Sequence, residues 1–189
     1  MNEEVSTYYD TVADRYSEGY LRPIDAEEDR LTTTVLMEHI REDDFVLDVG
    51  CGTGLVLDLM AERPLGYYVG LDSSQGMVDA ARNTHIGHQF MIGDMDELPW
   101  TDNDFDVVLC LNAVAMYAED YPALISALRA SCRRTVIMSV PLPRHASRAA
   151  YTAESPGKHY RPLADLIEPF AEHFESVQFS FYSSWLHDR

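Results

Sequence analysis

The sequence predicts a doubly wound α/β fold built on a mostly parallel sheet, and three observations point to it. Short apolar runs alternate with segments of helical periodicity along most of the chain. The run FDVVLCL, Phe105 to Leu111, is nearly continuous in apolar side chains, as a central strand covered on both faces requires. The segment DVGCGTG, Asp48 to Gly54, sets three glycines at alternate positions between a strand-like run and a helix-like one. Repeated strand–helix–strand units close with right-handed crossovers, which makes the sheet parallel. Such sheets bind ligands beyond the carboxyl ends of their strands, where the glycine segment falls.

The first helix runs from Val5 to Tyr20, with Tyr8, Val12, Tyr16 and Tyr20 recurring every four residues. Asp25–Ile40 is a second, with Leu31, Val35, Leu36 and Ile40 along its apolar stripe. Phe45–Val49 is a buried strand, and the glycine segment feeds a short helix, Leu55–Glu62. Gly66–Leu71 is the second strand, followed by the helix Ser74–Asn83. Gln89–Ile92 is a short third strand and Phe105–Leu111 the fourth. Tyr121–Ala130 is helical, Arg134–Val140 is the fifth strand, Arg161–Phe174 another helix and Ser176–Tyr182 a closing strand. Pro141–Gly157 lacks clear periodicity and leaves a strand's carboxyl end, so it is either a substrate loop or a plain connector.

A length of 189 residues with 46% apolar side chains suits one domain, 1–189, with its own core. Fourteen basic against 32 acidic groups leave a formal charge of −18, which repels phosphate backbones and anionic membranes. Nucleic acid and membrane are therefore unfavoured partners. An N-terminal apolar leader and a bilayer-spanning run are both absent from the sequence, so the expected compartment is cytoplasmic. Cys51, Cys110 and Cys132 are odd in number and widely spaced, which gives neither a disulfide framework nor a metal-binding pair. Cys110 and Cys132 lie in apolar surroundings and read as small core residues.

A strand, a glycine turn and a helix start let a ligand lie against bare backbone, beside the unpaired N–H groups of the helix end. A dinucleotide site needs G-x-G-x-x-G, but position 55 is Leu55 and the third glycine is Gly54. A P-loop needs a Gly-Lys-Ser/Thr ending that does not follow. Asp72 closes the second strand, 18 residues after Gly54. A carboxylate there can accept both hydroxyls of a ribose; its other reading is a helix cap, a role Ser74 fills better. GDMDELPW, Gly93 to Trp100, follows the third strand. There Asp94 can accept from an exocyclic amine while a neighbouring backbone N–H donates to a ring nitrogen. Met77 either covers an adenine face or fills the core.

In that order and spacing, VLDVGCGTG, LDSSQGM, GDMDELPW and FDVVLCLNAVAMY resemble the four cofactor motifs of class I S-adenosylmethionine-dependent methyltransferases. Within that class the likeness is to the small-molecule branch of ubiquinone- and menaquinone-biosynthesis enzymes (methyltransferase type 11). YYDTVADRYSEGY is similar to that branch's lid helix, Y-D-x-x-A-x-x-Y, and motifs and lid together cover residues 8–117. The resemblance implies a Rossmann-like core, 43–189, with strand order 3-2-1-4-5-7-6, under a helical lid, 1–42. It implies S-adenosylmethionine as cofactor and S-adenosylhomocysteine as product. Asp48 would anchor the methionine amino group through water, and Gly50, Gly52 and Gly54 would make room for the amino-acid moiety, with Cys51 contributing backbone. Asp72 would hold the ribose hydroxyls, Ser73 and Met77 would border the adenine, and Asp94 with Met95 would read its edge. The backbone at Leu111 and Asn112 would close over the methionine end. Tyr8, Arg15 and Tyr16 belong to the lid pattern, the two tyrosines either facing the cofactor or packing the lid.

Two departures from the family stand out. Gly76 sits in the first turn of a helix where a better helix former is usual, costing about 1 kcal/mol relative to alanine. Little chain follows the sixth strand, so the seventh is expected to be short or missing, and a homodimer would protect the open edge.

Methyl transfer from a sulfonium is an in-line displacement with an excellent leaving group, so alignment and desolvation supply most of the catalysis. A base is needed only where the acceptor holds its proton. Candidates are Tyr117, His145, His159 and Tyr160, although for each histidine a solvent-exposed loop is the plainer place. Asn112-Ala113-Val114-Ala115 lacks the prolines of an adenine-N6 turn, no Pro-Cys pair serves cytosine-C5 chemistry, and no carboxylate–amide set suggests a metal. Between 129 and 161, Arg129, Arg133, Arg134, Arg144, Arg148, Lys158 and Arg161 stand against one acid, Glu154, so this segment carries +6 and the rest −24. Either it steers an anionic small-molecule acceptor, or its arginines pair with acids elsewhere on the surface. The expected function is methyl transfer to a small molecule. A tRNA or protein acceptor and a non-catalytic S-adenosylmethionine-binding module are the alternatives.

Overall fold

The computed structural model describes residues 3–16, 23–111, 114–140 and 161–178. They form α1 (Glu3–Tyr16), α2 (Pro23–His39), β1 (Phe45–Val49), α3 (Leu55–Leu59), β2 (Tyr67–Asp72), α4 (Gln75–Thr84) and β3 (Gln89–Ile92). After these come β4 (Phe105–Cys110), α5 (Tyr121–Ser131), β5 (Cys132–Met138) and α6 (Leu163–His173). Two 3₁₀ turns, Met95–Glu97 and Val114–Tyr117, follow β3 and β4. The described strands make one sheet in the order β3-β2-β1-β4-β5, with every pairing parallel. This is the Rossmann-like order expected from the sequence. The direction of winding reverses between β1 and β4, so the glycine turn after β1 and Leu111 after β4 open into the same crevice.

Side chains alternate across a strand, so each central strand feeds two cores. Val46 of β1 and Val107 and Leu109 of β4 pack with Leu36 of α2, Val56 of α3 and Val78 of α4. Leu47, Val49, Val108 and Cys110 point the other way, to Leu124, Ile125 and Leu128 of α5 and Leu166 of α6. FDVVLCL is apolar on both faces because both are covered: Val107, Val108, Leu109 and Cys110 are all fully buried. Each such aliphatic side chain contributes about 1.5–3 kcal/mol by leaving water. At the head of α4 the Ser74 hydroxyl accepts the Met77 N–H at 3.1 Å, the N-cap read from the sequence.

Three boundaries differ from expectation. α3 ends at Leu59 rather than Glu62, and tighter turns take over, with the Ala61 N–H bonded to the Asp58 carbonyl and the Arg63 N–H to that of Met60. β5 starts at Cys132, straight off α5, and ends at Met138, with a register irregularity opposite Phe105 and Val107. Of the expected closing strand, residues 176–178 carry no strand and 179–182 lie outside the described residues.

The amino end of the sheet is held by charge. Arg134 of β5 donates to the Asp44 carboxylate and, at 3.0 Å, to the His39 carbonyl. Asp44 also accepts the Arg41 N–H at 2.7 Å. Arg133 meets Asp106 at 2.6 Å, and the other oxygen of Asp106 accepts the Phe45 N–H at 3.0 Å. Arg129 donates to Asn103 and the Cys132 carbonyl, and Arg161 to the carbonyls of Ala115 and Ala118. These four arginines of the basic segment are therefore committed to holding the fold; Arg144, Arg148 and Lys158 lie outside the described residues. Deleting one member of a half-buried ion pair leaves the other charge without its partner. Asp44→Ala should lower the unfolding free energy by about 2 kcal/mol, which a thermal or urea melt reads directly.

Candidate functional site

After Val49 the chain turns through Gly50, Gly52 and Gly54 at φ of 74°, 54° and 91°, a region that side-chain-bearing residues rarely enter. The turn is fastened to the neighbouring strand: the Gly50 and Cys51 N–H groups donate to the Leu71 carbonyl at 2.7 and 3.0 Å. Asp72, one residue further, accepts the Gly52 N–H on one carboxylate oxygen and the Ser74 N–H on the other, both at 2.9 Å. A carboxylate has about four acceptor positions, so these bonds leave capacity for a ligand hydroxyl. Burial raises the Asp72 carboxyl above its ordinary range, while the N–H groups of Ser74, Gly52 and Ser73 pull it down.

Asp48 on β1 is only 2% exposed. Tyr68, a member of the core on the α2–α4 face, donates to it at 2.7 Å. Burial pushes the Asp48 carboxyl up to about 7, with the Tyr68 hydrogen bond opposing and the Asp72 charge adding to the rise. Burial and then the charges of Asp48 and Asp72 push the Cys51 thiol well above its ordinary value. Such a thiol is no nucleophile, so Cys51 has only backbone to offer, as its place in the turn implies.

The carboxylate of Asp94 caps the 3₁₀ turn after β3, accepting the Asp96 N–H at 3.0 Å. Met95 and Met77 are 2% and 1% exposed, so of the two readings of Met77 its side chain follows the core-filling one. Ser73 follows Asp72 at the strand end, and Leu111 is buried at the end of β4. A shallow cavity of about 210 Å³ opens beside Met95, lined also by Asp96, Glu119, Asp120, Ala123 and Leu124. Its three acids make it a poor seat for an anion. Asn112, His145, His159 and Tyr160 lie outside the described residues.

Helix α1 lies over the loops at the carboxyl ends of β1, β2 and β4. The Tyr16 ring comes within 3.8 Å of where a Cβ on Gly52 would stand, so this tyrosine faces the glycine turn. Tyr8 instead packs edge-on against Tyr9, with ring centroids 5.2 Å apart. The Tyr9 hydroxyl shares a 2.8 Å hydrogen bond with that of Tyr117, which joins the lid to the turn after β4. Burial, then Tyr117 itself, drives the Tyr9 phenol far above its ordinary range. A phenol held so far above its ordinary range stays protonated near neutral pH, so Tyr9 serves as a strut between lid and turn. Asp10 reaches across to α4, accepting from the Ser74 hydroxyl at 2.6 Å and the Gly76 N–H at 2.9 Å. Sequence reasoning missed Tyr9, Asp10 and Tyr68. Asp10 stood inside the lid pattern and was recoverable, whereas nothing in the spacing pairs Tyr68 with Asp48.

A family model described as "Methyltransferase domain" matches residues 46–135, from β1 into β5. The fold is shared with magnesium protoporphyrin IX methyltransferase of Synechocystis PCC 6803, solved with bound SAH. That comparison has a TM-score of 0.69 at 22% identity, over 89% of this chain and 87% of that one. The structure of a complex between the Haloferax volcanii Trm112 methyltransferase activator and a methyltransferase gives 0.67 at 24% identity, over 87% of this chain and 75% of that one. The chain thus has the class I S-adenosylmethionine-dependent methyltransferase fold.

Sequence relatives agree. The malonyl-[acyl-carrier protein] O-methyltransferase of Serratia marcescens is 35% identical over 85 residues, 44% of this chain and 32% of that protein. The demethylmenaquinone methyltransferase of Symbiobacterium thermophilum is 35% identical over 82 residues, 39% and 33% respectively. The 18S rRNA (guanine-N(7))-methyltransferase of Bos taurus is 37% identical over 71 residues, 37% and 25%. The chain spans about a third or less of the length of these relatives. Residues 46–135 thus match a methyltransferase domain, and S-adenosylmethionine is the cofactor of the class whose fold the chain has.

The residues present fit that cofactor. Among the described residues, the ring of Tyr16 lies 3.8 Å from a Cβ placed on Gly52, so the lid stands directly over the bare turn. Two carboxylates flank the turn, the half-buried Asp72 suited to a diol and the buried Asp48 suited to a cation.

Asp48 has an ordinary carboxyl value of 3.8, raised in the fold to about 7. The folded state therefore holds the proton more tightly than the unfolded chain between these values, and stability falls as pH rises through that window. Asp48→Asn keeps an oxygen acceptor for Tyr68 and removes the charge. The variant should melt above wild type at pH values above about 7 and match it below about pH 4, in thermal melts across that range.

Proposed function

We propose that the chain transfers a methyl group from S-adenosylmethionine to a small-molecule acceptor. One observation carries the reading: the half-buried Asp72 carboxylate is oriented by the Gly52 and Ser74 N–H groups, right beside the bare glycine turn. S-adenosylmethionine supplies, when bound, a methyl group activated on a sulfonium. Asp72 binds the ribose diol, Asp48 holds the amino group, the glycine turn accommodates the amino-acid moiety and α1 excludes water. Desolvation and alignment are then the chain's main catalytic contribution. Relatives named for malonyl-[acyl-carrier protein] and demethylmenaquinone support an acceptor other than nucleic acid. The rRNA-methylating relative supports the opposite, but a charge of −18 repels RNA.

The test is calorimetric titration with S-adenosylmethionine, followed by methyl-labelled cofactor offered to a fractionated extract. Asp72→Ala should weaken cofactor binding by about 10²-fold, because two charge-assisted hydrogen bonds are lost. Label should appear in the small-molecule fraction; label confined to RNA or protein would refute the proposed acceptor class. If the acceptor is anionic and the 141–157 segment steers it, charge reversal at Arg144 and Arg148 raises its KM. Either histidine, if it is the base, costs about 10²–10⁴ in turnover on replacement by alanine, and unchanged turnover removes His145 or His159 from that role.

A second reading has its own observation. Among the described residues β3 is an edge strand, and it leaves Met91 and Ile92 41% and 45% exposed. An open edge carrying large apolar side chains favours strand addition by a partner. In this reading the chain works with an activator protein, as the methyltransferase of the Haloferax volcanii complex is paired with its Trm112 activator. A chain purified alone as a monodisperse, fully active monomer argues against it; activity that appears only on adding a Trm112-type protein supports it.

A further inference from the structure

We infer that Asp10 is a positioning residue that couples closure of the lid to the ribose-binding carboxylate; the inference rests on the S-adenosylmethionine reading above. Asp10 touches no expected part of the cofactor. One of its carboxylate oxygens takes the Ser74 hydroxyl at 2.6 Å and the Gly76 N–H at 2.9 Å. Ser74 is fully buried, and its backbone N–H donates to Asp72 at 2.9 Å. Asp72 in turn holds the Gly52 N–H at 2.9 Å. Lid, α4 head, ribose carboxylate and glycine turn thus form one chain of hydrogen bonds. Asp10 also places a negative charge at the N-terminus of α4, where the helix dipole favours it.

Gly76 gives the second, independent observation. A Cβ there would stand 3.1 Å from the Ala13 Cβ and 3.2 Å from both the Cα and the carbonyl oxygen of Asp10. Those are contacts with α1 itself, two of them with its backbone, so they cannot be relieved by a side-chain rotation. The glycine that weakens α4 is what lets α1 come close enough for Asp10 to reach. Closure also lays Tyr16 of the same helix over Gly52. The Asp10 contact therefore links the position of the lid to the loop that orients Asp72.

The experiment compares wild type, Asp10→Ala, Asp10→Asn and Gly76→Ala by calorimetric titration with S-adenosylhomocysteine, with melting temperatures recorded in parallel. Asp10→Ala should weaken binding about tenfold, the loss of roughly one charge-assisted hydrogen bond. Asp10→Asn, which keeps an oxygen acceptor, should recover most of that loss. Gly76→Ala is the critical variant: alanine is the better helix former, so α4 gains while the lid is pushed away. It should weaken binding several-fold without a lower melting temperature. Trypsin gives a separate readout, since Arg15 is exposed on α1. S-adenosylhomocysteine should slow cleavage after Arg15 in wild type and not in Asp10→Ala or Gly76→Ala.

Failure of wild type to bind S-adenosylhomocysteine would sink the cofactor reading itself. Wild-type binding with unchanged affinity and protection in Asp10→Ala and Gly76→Ala would overturn the coupling alone. An affinity loss that tracks a lowered melting temperature and is not rescued by Asp10→Asn would assign Asp10 a merely structural role, and also overturns it.

Discussion

A half-buried carboxylate with both oxygens tied to backbone N–H groups is the constraint on which the site depends. Asp72 sits where β2 ends, and through Gly52 and Ser74 it fixes two loops that would otherwise move independently. A glycine turn is cheap to deform, since each glycine has wide backbone freedom. Fastening it to the Leu71 carbonyl and the Asp72 carboxylate removes that freedom without adding a side chain. The result is bare backbone that is nonetheless held in place, as a ligand-shaped surface must be.

The two-sided core explains how such a carboxylate comes to be buried even in part. β1 and β4 are covered on both faces, so a polar group near their carboxyl ends is drawn out of water along with its neighbours. Asp48 is the extreme case, set among aliphatic side chains with the Tyr68 hydroxyl as its hydrogen-bond donor among the described residues. A buried charge with no cation beside it is expensive. Protonation relieves part of that cost, which is why burial pushes the Asp48 carboxyl up to about 7.

Much of this was legible in the sequence, because strands and turns obey local rules. The order of elements, the N-cap Ser74, the parallel sheet and the failed dinucleotide spacing all follow from residues close together in the chain. Gly76 was visible as an oddity but not as a cause: its reason is Asp10 and Ala13, more than sixty residues earlier. The basic segment shows the same limit from the other side. Arg133 and Arg134 are bound to Asp106 and Asp44, partners brought close by sheet register rather than by sequence. Half-buried ion pairs of this kind are invisible to a count of charges. Boundaries were least legible where tighter turns or a direct helix-to-strand passage overrode periodicity, at Leu59 and Cys132.

The elevated carboxyl of Asp48 has a consequence for how ligand binding would be observed. Near neutral pH this group is shared between its protonated and ionised forms, since its value lies at about 7. A cation settling beside it would expel the remaining proton into the buffer. The heat of binding would then include the buffer's own heat of protonation, and would differ between two buffers at the same pH. The difference divided by that of the two buffers counts the protons released, so the site is in effect an acid that its ligand titrates.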